Sequence, residues 1–235
     1  MRSGPLELSL NEVRRLWWWF QDGSIMSPRI RQQLRHAWGF CPRHTWAHAA
    51  VECELRGRPF STANLYRDLA ARAAEALTSP SPSKRRRRSP PHPVERLRAS
   101  AACVVCATLA TSTAPPDPGF AERRELVNRL ERTRGYLADL RPVWEPASCP
   151  GCLGGTGMVC RPHLLAGEPS SVDLSEYAHR LRELAGRLDL LVDSMTLHGP
   201  VATPEAAAAW VEALGWFAGW GLAHTLAGSV SPFRP

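Results

Sequence analysis

Six of the seven cysteines fall, with two histidines, into four short pairs: Cys41-Pro42-Arg43-His44, Cys103-Val104-Val105-Cys106, Cys149-Pro150-Gly151-Cys152 and Cys160-Arg161-Pro162-His163. Two residues separate the members of every pair. That spacing lets two side chains on a tight turn or a helix start reach one metal ion. Two pairs complete one four-coordinate zinc site, so four pairs predict two sites and two zinc ions, with Cys41, His44, Cys103, Cys106, Cys149, Cys152, Cys160 and His163 as ligands. A disulfide framework explains the pattern less well, because two of the cysteines are followed by x-x-His. A redox C-x-x-C is expected beside a βαβ unit, and the sequence shows no period-two alternation that would mark strands.

Which pairs share an ion is open at this level. A local solution joins Cys149/Cys152 with Cys160/His163 and leaves Cys41/His44 to Cys103/Cys106. Short loops cost less entropy to close. A second joins Cys103/Cys106 with Cys160/His163, and Cys41/His44 with Cys149/Cys152. A third gives one all-cysteine site and one site of two cysteines and two histidines. In each, at least one ion ties the N-terminal part of the chain to the C-terminal part, because Cys41/His44 has no other pair nearby.

The formal charge is +7, and five of the positive residues lie in one run, Lys84-Arg85-Arg86-Arg87-Arg88. The basicity is thus mostly local. The run has no interleaved aromatic residue or glycine to read bases, so a solvated linker is the favoured reading and nucleic-acid binding the alternative. Residues 78–95 are almost entirely Ser, Pro, Lys and Arg around this run. They are expected to be a disordered linker between an N-terminal helical half, 1–77, and a C-terminal half, 96–235. The first ten residues do not read as a secretory signal. The uncharged stretch 213–233 carries four glycines and a proline, and reads as a buried helix followed by a loop rather than a membrane span. Thiols in metal-type pairs suit the cytoplasm, where cysteines are kept reduced.

The helical pattern is strong. Ser9-x-x-Glu12 is a capping box, followed by Leu10, Val13, Leu16, Trp17 and Phe20 at helical spacing. Trp17-Trp18-Trp19 covers several faces, so this helix should be contacted on more than one side. Ser27-Pro28 starts a second helix with Ile30, Leu34 and Trp38 as its stripe. Two more are expected over 42–55 and 62–77. In the second half, one helix is expected over 120–140, stopped by Pro142. A long helix over 173–197 shows a leucine seam, and a helix capped by Thr203 carries Trp210, Leu214 and Phe217. Cys53 reads as a core residue, and His48 as a surface residue or a support for the metal ligands.

Trp17-Trp18-Trp19-Phe20-Gln21-Asp22-Gly23, then Gly39-Phe40-Cys41-Pro42-Arg43-His44 and Leu65-Tyr66-Arg67-Asp68-Leu69, resemble an uncharacterised bacterial family. Each half of its members carries C-P-x-C, a helical spacer and G-x-C-x-x-H at a helix start. The alanine- and arginine-rich composition also suggests a GC-rich bacterial source. Cys103/Cys106 and Cys160/His163 resemble the second half-repeat loosely: Val104 replaces the proline and the glycine is displaced to Gly157. The first half lacks its upstream C-x-x-C, and Cys149/Cys152 is extra. The family plan therefore implies the second pairing, with Cys149/Cys152 replacing the lost ligands. The resemblance brings no assigned activity.

The sequence contains no P-loop, dinucleotide fingerprint, H-E-x-x-H or nucleophile elbow. A catalytic zinc keeps one position for water, whereas eight ligands in two sites leave none. The expectation is an all-α protein of two helical halves stapled by two structural zinc ions. It would act as a macromolecular binding or regulatory module with a protein partner, and a redox-sensing zinc switch is a further alternative.

Overall fold

The computed structural model describes residues 6–21, 23, 27–79, 92–111, 119–167 and 173–228. Lys84–Arg88, and most of the expected linker, lie outside these residues. Within them the chain forms helices α1 (Leu10–Gln21), α2 (Pro28–Ala37), α3 (Pro42–Arg56) and α4 (Phe60–Thr78), a 3-10 turn (Pro93–Leu97), and then α5 (Val104–Thr111), α6 (Gly119–Arg129), α7 (Glu131–Asp139) and α8 (Arg141–Trp144). After these come α9 (Pro150–Leu153), α10 (Arg161–Ala166), α11 (Leu174–Ser194), α12 (Pro204–Ala218) and α13 (Gly221–Ala227). No strand occurs among the described residues. No helix there is long and apolar enough to cross a membrane.

One hydrophobic core runs through both halves of the sequence. Its largest contact is between α4 and α11, which lie antiparallel: Arg67 Nη1 meets Asp189 Oδ1 at 2.6 Å near one end, and Arg182 Nη2 donates to Thr78 Oγ1 at 3.2 Å near the other. Leu65, Leu69 and Ala73 of α4 and Leu181, Leu184 and Leu188 of α11 are fully buried. The leucine seam of α11 thus meets a helix from before the basic stretch. The two halves share one core rather than standing apart.

Helix α3 sits at the centre. Consecutive residues from His44 to Glu54 are all buried, so this helix has no solvent face. Its alanines let neighbours approach, and its buried carboxylates must find partners. Glu52 accepts from the N–H groups of Ser61 and Thr62 and from Thr62 Oγ1 at 2.6–2.9 Å, and so caps the start of α4. Glu54 does the same for α7, accepting from the N–H of Arg132 at 3.3 Å, the N–H of Thr133 at 2.8 Å and Thr133 Oγ1 at 2.8 Å.

This second cap explains a departure from the expected helix over 120–140. The chain breaks there into α6 and α7 at Leu130, which is buried in the left-handed region at φ 58°. No proline or glycine marks the break; the tertiary carboxylate of Glu54 supplies the new helix start. Pro142 lies in the first turn of α8 rather than simply ending a helix.

The caps at Ser9, Ser27, Asp173 and Thr203 form as the sequence indicates. Helix α2 stops earlier than its stripe suggests, since Trp38 is its left-handed cap at φ 54°. That conformation costs about 1–2 kcal/mol for a non-glycine residue. The cost is offset by a hydrogen bond from Trp38 Nε1 to the Arg96 carbonyl at 3.1 Å and by stacking on Phe217. The tryptophan triplet divides as its faces require. Trp19 stacks on Phe40 in the core, Trp17 lies under the Arg123 guanidinium, and Trp18 is exposed. Trp210, Phe217, Trp220 and Cys53 are core residues.

Replacing Glu54 with Ala leaves two N–H groups and a hydroxyl at a buried helix start without their acceptor. The expected loss is about 2 kcal/mol of unfolding free energy, read as a lower urea midpoint. An unchanged midpoint would show that α7 needs no cap from α3.

Candidate metal centres

All four pairs are built by one local device. Cys41, Cys149 and Cys160 are the N-cap residues of α3, α9 and α10, with extended backbone at φ −65 to −67° and a proline in the first turn. Cys103 directly precedes α5. The partner three residues on lies in the first helical turn, so both side chains point off the same helix start. Free N–H groups there also favour negative sulphur.

The fold brings these starts together as two clusters: Cys41, His44, Cys103 and Cys106, and Cys149, Cys152, Cys160 and His163. This is the local solution. The pairing implied by the family resemblance, Cys103/Cys106 with Cys160/His163, is not found. Its physical reason is the loop 149–160, which folds back on residues 146–148 and presents its own two pairs to each other. The Thr156 N–H donates to the Pro146 carbonyl and the Gly157 N–H to the Ser148 carbonyl.

The donor geometry can be compared with a tetrahedron. Zinc–sulphur bonds of about 2.3 Å and zinc–nitrogen bonds of about 2.05 Å give edges of about 3.8 Å between sulphurs and about 3.6 Å between sulphur and nitrogen. In the first cluster, His44 Nδ1 lies 3.3, 3.6 and 3.2 Å from the sulphurs of Cys41, Cys103 and Cys106, and Cys41 and Cys106 are 3.8 Å apart. In the second, His163 Nδ1 lies 3.5, 3.4 and 3.3 Å from Cys149, Cys152 and Cys160, and Cys152 and Cys160 are 3.6 Å apart. Both sets match three thiolates and one imidazole around one tetrahedral ion. All seven cysteines are free thiols.

The surroundings differ. His44 is buried, and its other nitrogen, Nε2, faces Glu12 Oε1 at 3.2 Å. Glu12 is also the capping-box partner of Ser9, whose N–H and hydroxyl donate to Oε2 at 2.8 Å. Arg43 Nε donates to Glu12 Oε1 at 3.0 Å, and its Nη2 to the Glu7 carbonyl at 2.6 Å. One carboxylate thus starts α1, orients the imidazole and holds the N-terminal segment against α3. The capping box is visible in the sequence, but its second task is not, because nothing local links Glu12 to His44. His163 is exposed. In the second centre the neighbouring charge is Arg161, half-buried, which donates to the Leu97 carbonyl at 3.0 Å and the Phe217 carbonyl at 3.2 Å. A site of three thiolates, one imidazole and a divalent ion carries one net negative charge. Each C-x-x-H pair therefore supplies an arginine beside its own site.

The titrations follow from this packing. Burial opposes a charged imidazole at His44, but contacts with Cys103 and Glu12 raise it to about 10. The hydrogen bond from the Cys41 thiol, aided by His44, pushes Cys103 down to about 3, and Cys41 moves the opposite way. Burial opposes charge on Cys149, yet contacts from Cys160, His163 and the N–H groups of Gly151 and Cys152 bring it to about 7. Loading either site with metal therefore releases protons.

His48 joins neither cluster. It is fully buried against Phe40, with Nδ1 3.1 Å from Thr62 Oγ1, and burial pushes it down to about 3. It is neither a surface residue nor a metal ligand. No protein-family model, curated protein or solved structure matches the chain.

Three substitutions test the centres separately. Glu12→Gln keeps the side chain's size but removes its charge, and should weaken metal binding at the first centre by about tenfold or more without changing the second. Ser9→Ala, which removes the capping hydroxyl but keeps the Glu12 carboxylate and the Ser9 N–H that donates to it, should lower stability and leave most of the metal affinity in place. Competitive titration with a zinc-binding dye reads both. Gly157→Ala acts on the other centre: a Cβ at Gly157 would lie 1.8 Å from the Ala147 carbonyl oxygen, so the loop cannot close. One equivalent of metal should be lost from the second centre, while a chain that keeps both would show that the loop accommodates the methyl group.

Proposed function

We propose that this chain is a zinc-stabilised helical scaffold of the cytoplasm that works as a macromolecular binding or regulatory module, not as an enzyme. The observation that supports it best is the closure of both centres. Each offers four donors at tetrahedral spacing, which leaves no position for a substrate or an activated water. The first centre also joins residues 41–44 to 103–106, across the stretch that holds the basic run. A structural zinc of this type contributes about 10–16 kcal/mol of apparent binding free energy at pH 7, comparable to the whole stability of an ordinary domain. Ions at these positions would therefore decide whether the chain is folded. A duplicated bacterial ancestry fits the use of one helix-start device in both halves.

A second reading has its own observation. Cys106 is exposed, and its sulphur lies 3.8 Å from that of Cys41. Peroxide could oxidise these two thiolates to a disulfide, being itself reduced to water as its O–O bond breaks, and the first centre would then release its zinc.

Metal analysis of the purified chain should find two zinc ions per molecule. Cys41→Ser and Cys149→Ser should each retain one, and the double variant none. A chain that keeps both ions after Cys41→Ser would overturn the scaffold reading. Under mild peroxide, loss of one zinc together with a Cys41–Cys106 disulfide would support the switch; unchanged zinc content would eliminate it.

A further inference from the structure

The two centres offer the same donors, but their histidines are held differently. His44 is buried, and its Nε2 faces Glu12 Oε1 at 3.2 Å; Arg43 and the Ser9 N–H hold that carboxylate in turn. His163 is exposed, and its polar contacts among the described residues are those of Nδ1 with the three sulphurs. No group there takes its Nε2. The ring rests on Gly151, where a Cβ would lie 3.2 Å from Nδ1, so packing rather than a polar anchor sets its angle. Arg161 does not replace the missing hold, because its guanidinium is turned to the Leu97 and Phe217 carbonyls.

A partner on the outer nitrogen fixes a ligating imidazole's orientation and strengthens it as a donor, and losing that partner costs about 10–100-fold in metal affinity. Imidazole is also the one neutral donor of each set, whereas the thiolates bind as anions. It is therefore the ligand that leaves first, and the exposed thiolate of Cys106 in the first centre does not offset this. Rotation of one exposed side chain opens the second centre. Opening the first at His44 means breaking the contact with Glu12 at the start of a stretch buried as far as Glu54. We propose that the second centre is an exchangeable zinc site, at which His163 gives way to an incoming donor, so that its occupancy follows the zinc available while the first centre stays filled. The exchange breaks one zinc–nitrogen bond and makes one bond to the incoming donor, with no change of oxidation state.

Exchange at this centre reaches the molecular surface. Pro146, Ala147 and Met158, beside and within the ligand-bearing loop, form one wall of a hollow of about 420 Å³, and Arg187 of α11 and Glu212 of α12 stand on the other. The wall keeps its shape only while the loop is ordered. Zinc at the second centre thus governs a surface against α11 and α12, which rests on the two-site scaffold reading above and adds regulation to it.

The test loads the full chain with two zinc ions and follows their transfer to a chromogenic chelator in rising excess. Release should come in two phases of one ion each. The fast phase should quicken with chelator concentration, because the chelator enters where His163 leaves. The slow phase waits on the protein itself, so it should not respond, and it should be about tenfold slower or more. His163→Cys supplies a fourth thiolate and should abolish the fast phase, while Glu12→Gln should hasten the slow one. Cys149→Ser should leave one slow ion and Cys41→Ser one fast ion; should either fail to fold, His163→Cys and Glu12→Gln still assign the phases. Release of both ions in a single phase, a fast phase that survives His163→Cys, or a fast phase lost with Cys41→Ser would each overturn the exchangeable site. A chain that never holds two ions at saturating zinc would defeat the scaffold reading instead.

Discussion

His44 is held at both ring nitrogens, and much of the fold depends on that double hold. Nδ1 faces three sulphurs, two of them from the far side of residues 80–91, and Nε2 faces the carboxylate that starts α1. A hydrogen bond at Nε2 fixes the tautomer that leaves the Nδ1 lone pair for a metal. The same contact sets the position of α1, and Arg43 next in sequence locks Glu12 from the other side. Placing α1, α3 and α5 is therefore one problem rather than three. The residue that solves it lies in the first turn of α3, at the start of its buried stretch from His44 to Glu54.

That helix explains why so much polar chemistry lies inside an otherwise apolar core. A helix buried all round cannot send its carboxylates to water, so each must be satisfied by a neighbouring element. Glu52 and Glu54 are spent on helix starts, where several N–H groups are unpaired by the nature of the helix. Each carboxylate removes two such groups while relieving its own burial. The starts of α4 and α7 thus become points of attachment to α3. Capping, usually a local matter, here sets tertiary arrangement.

These facts also mark what the sequence could and could not convey. The ligand set, the helical class and the caps at Ser9, Ser27, Asp173 and Thr203 were legible because each is written within a few adjacent residues. The pairing of the clusters was not. Closing the stretch between His44 and Cys103 costs about 2 kcal/mol more than closing that between Cys152 and Cys160. Entropy thus pointed to the local arrangement, while the family resemblance pointed to another. The break at Leu130 was invisible for a related reason: its cause, Glu54, lies far away in sequence. His48 was misjudged because α3 has no apolar stripe, and without one the buried face cannot be distinguished from the exposed one.

The two centres consequently have unequal roles in assembly. The second draws its four ligands from one loop and the helix start after it, so it needs little of the remaining fold. The first draws its ligands from the starts of α3 and α5, which lie on opposite sides of residues 80–91. Arg161 connects the two. Its position is fixed by Cys160 on one side, and its guanidinium reaches Leu97 in the 3-10 turn and Phe217 in α12. That turn resumes the described chain after residues 80–91 and leads directly to Cys103. Arg161 thus ties the second centre to the segment that carries half of the first. Through that one half-buried guanidinium, the helix start at Cys160 is joined both to α12 and to the turn that precedes Cys103.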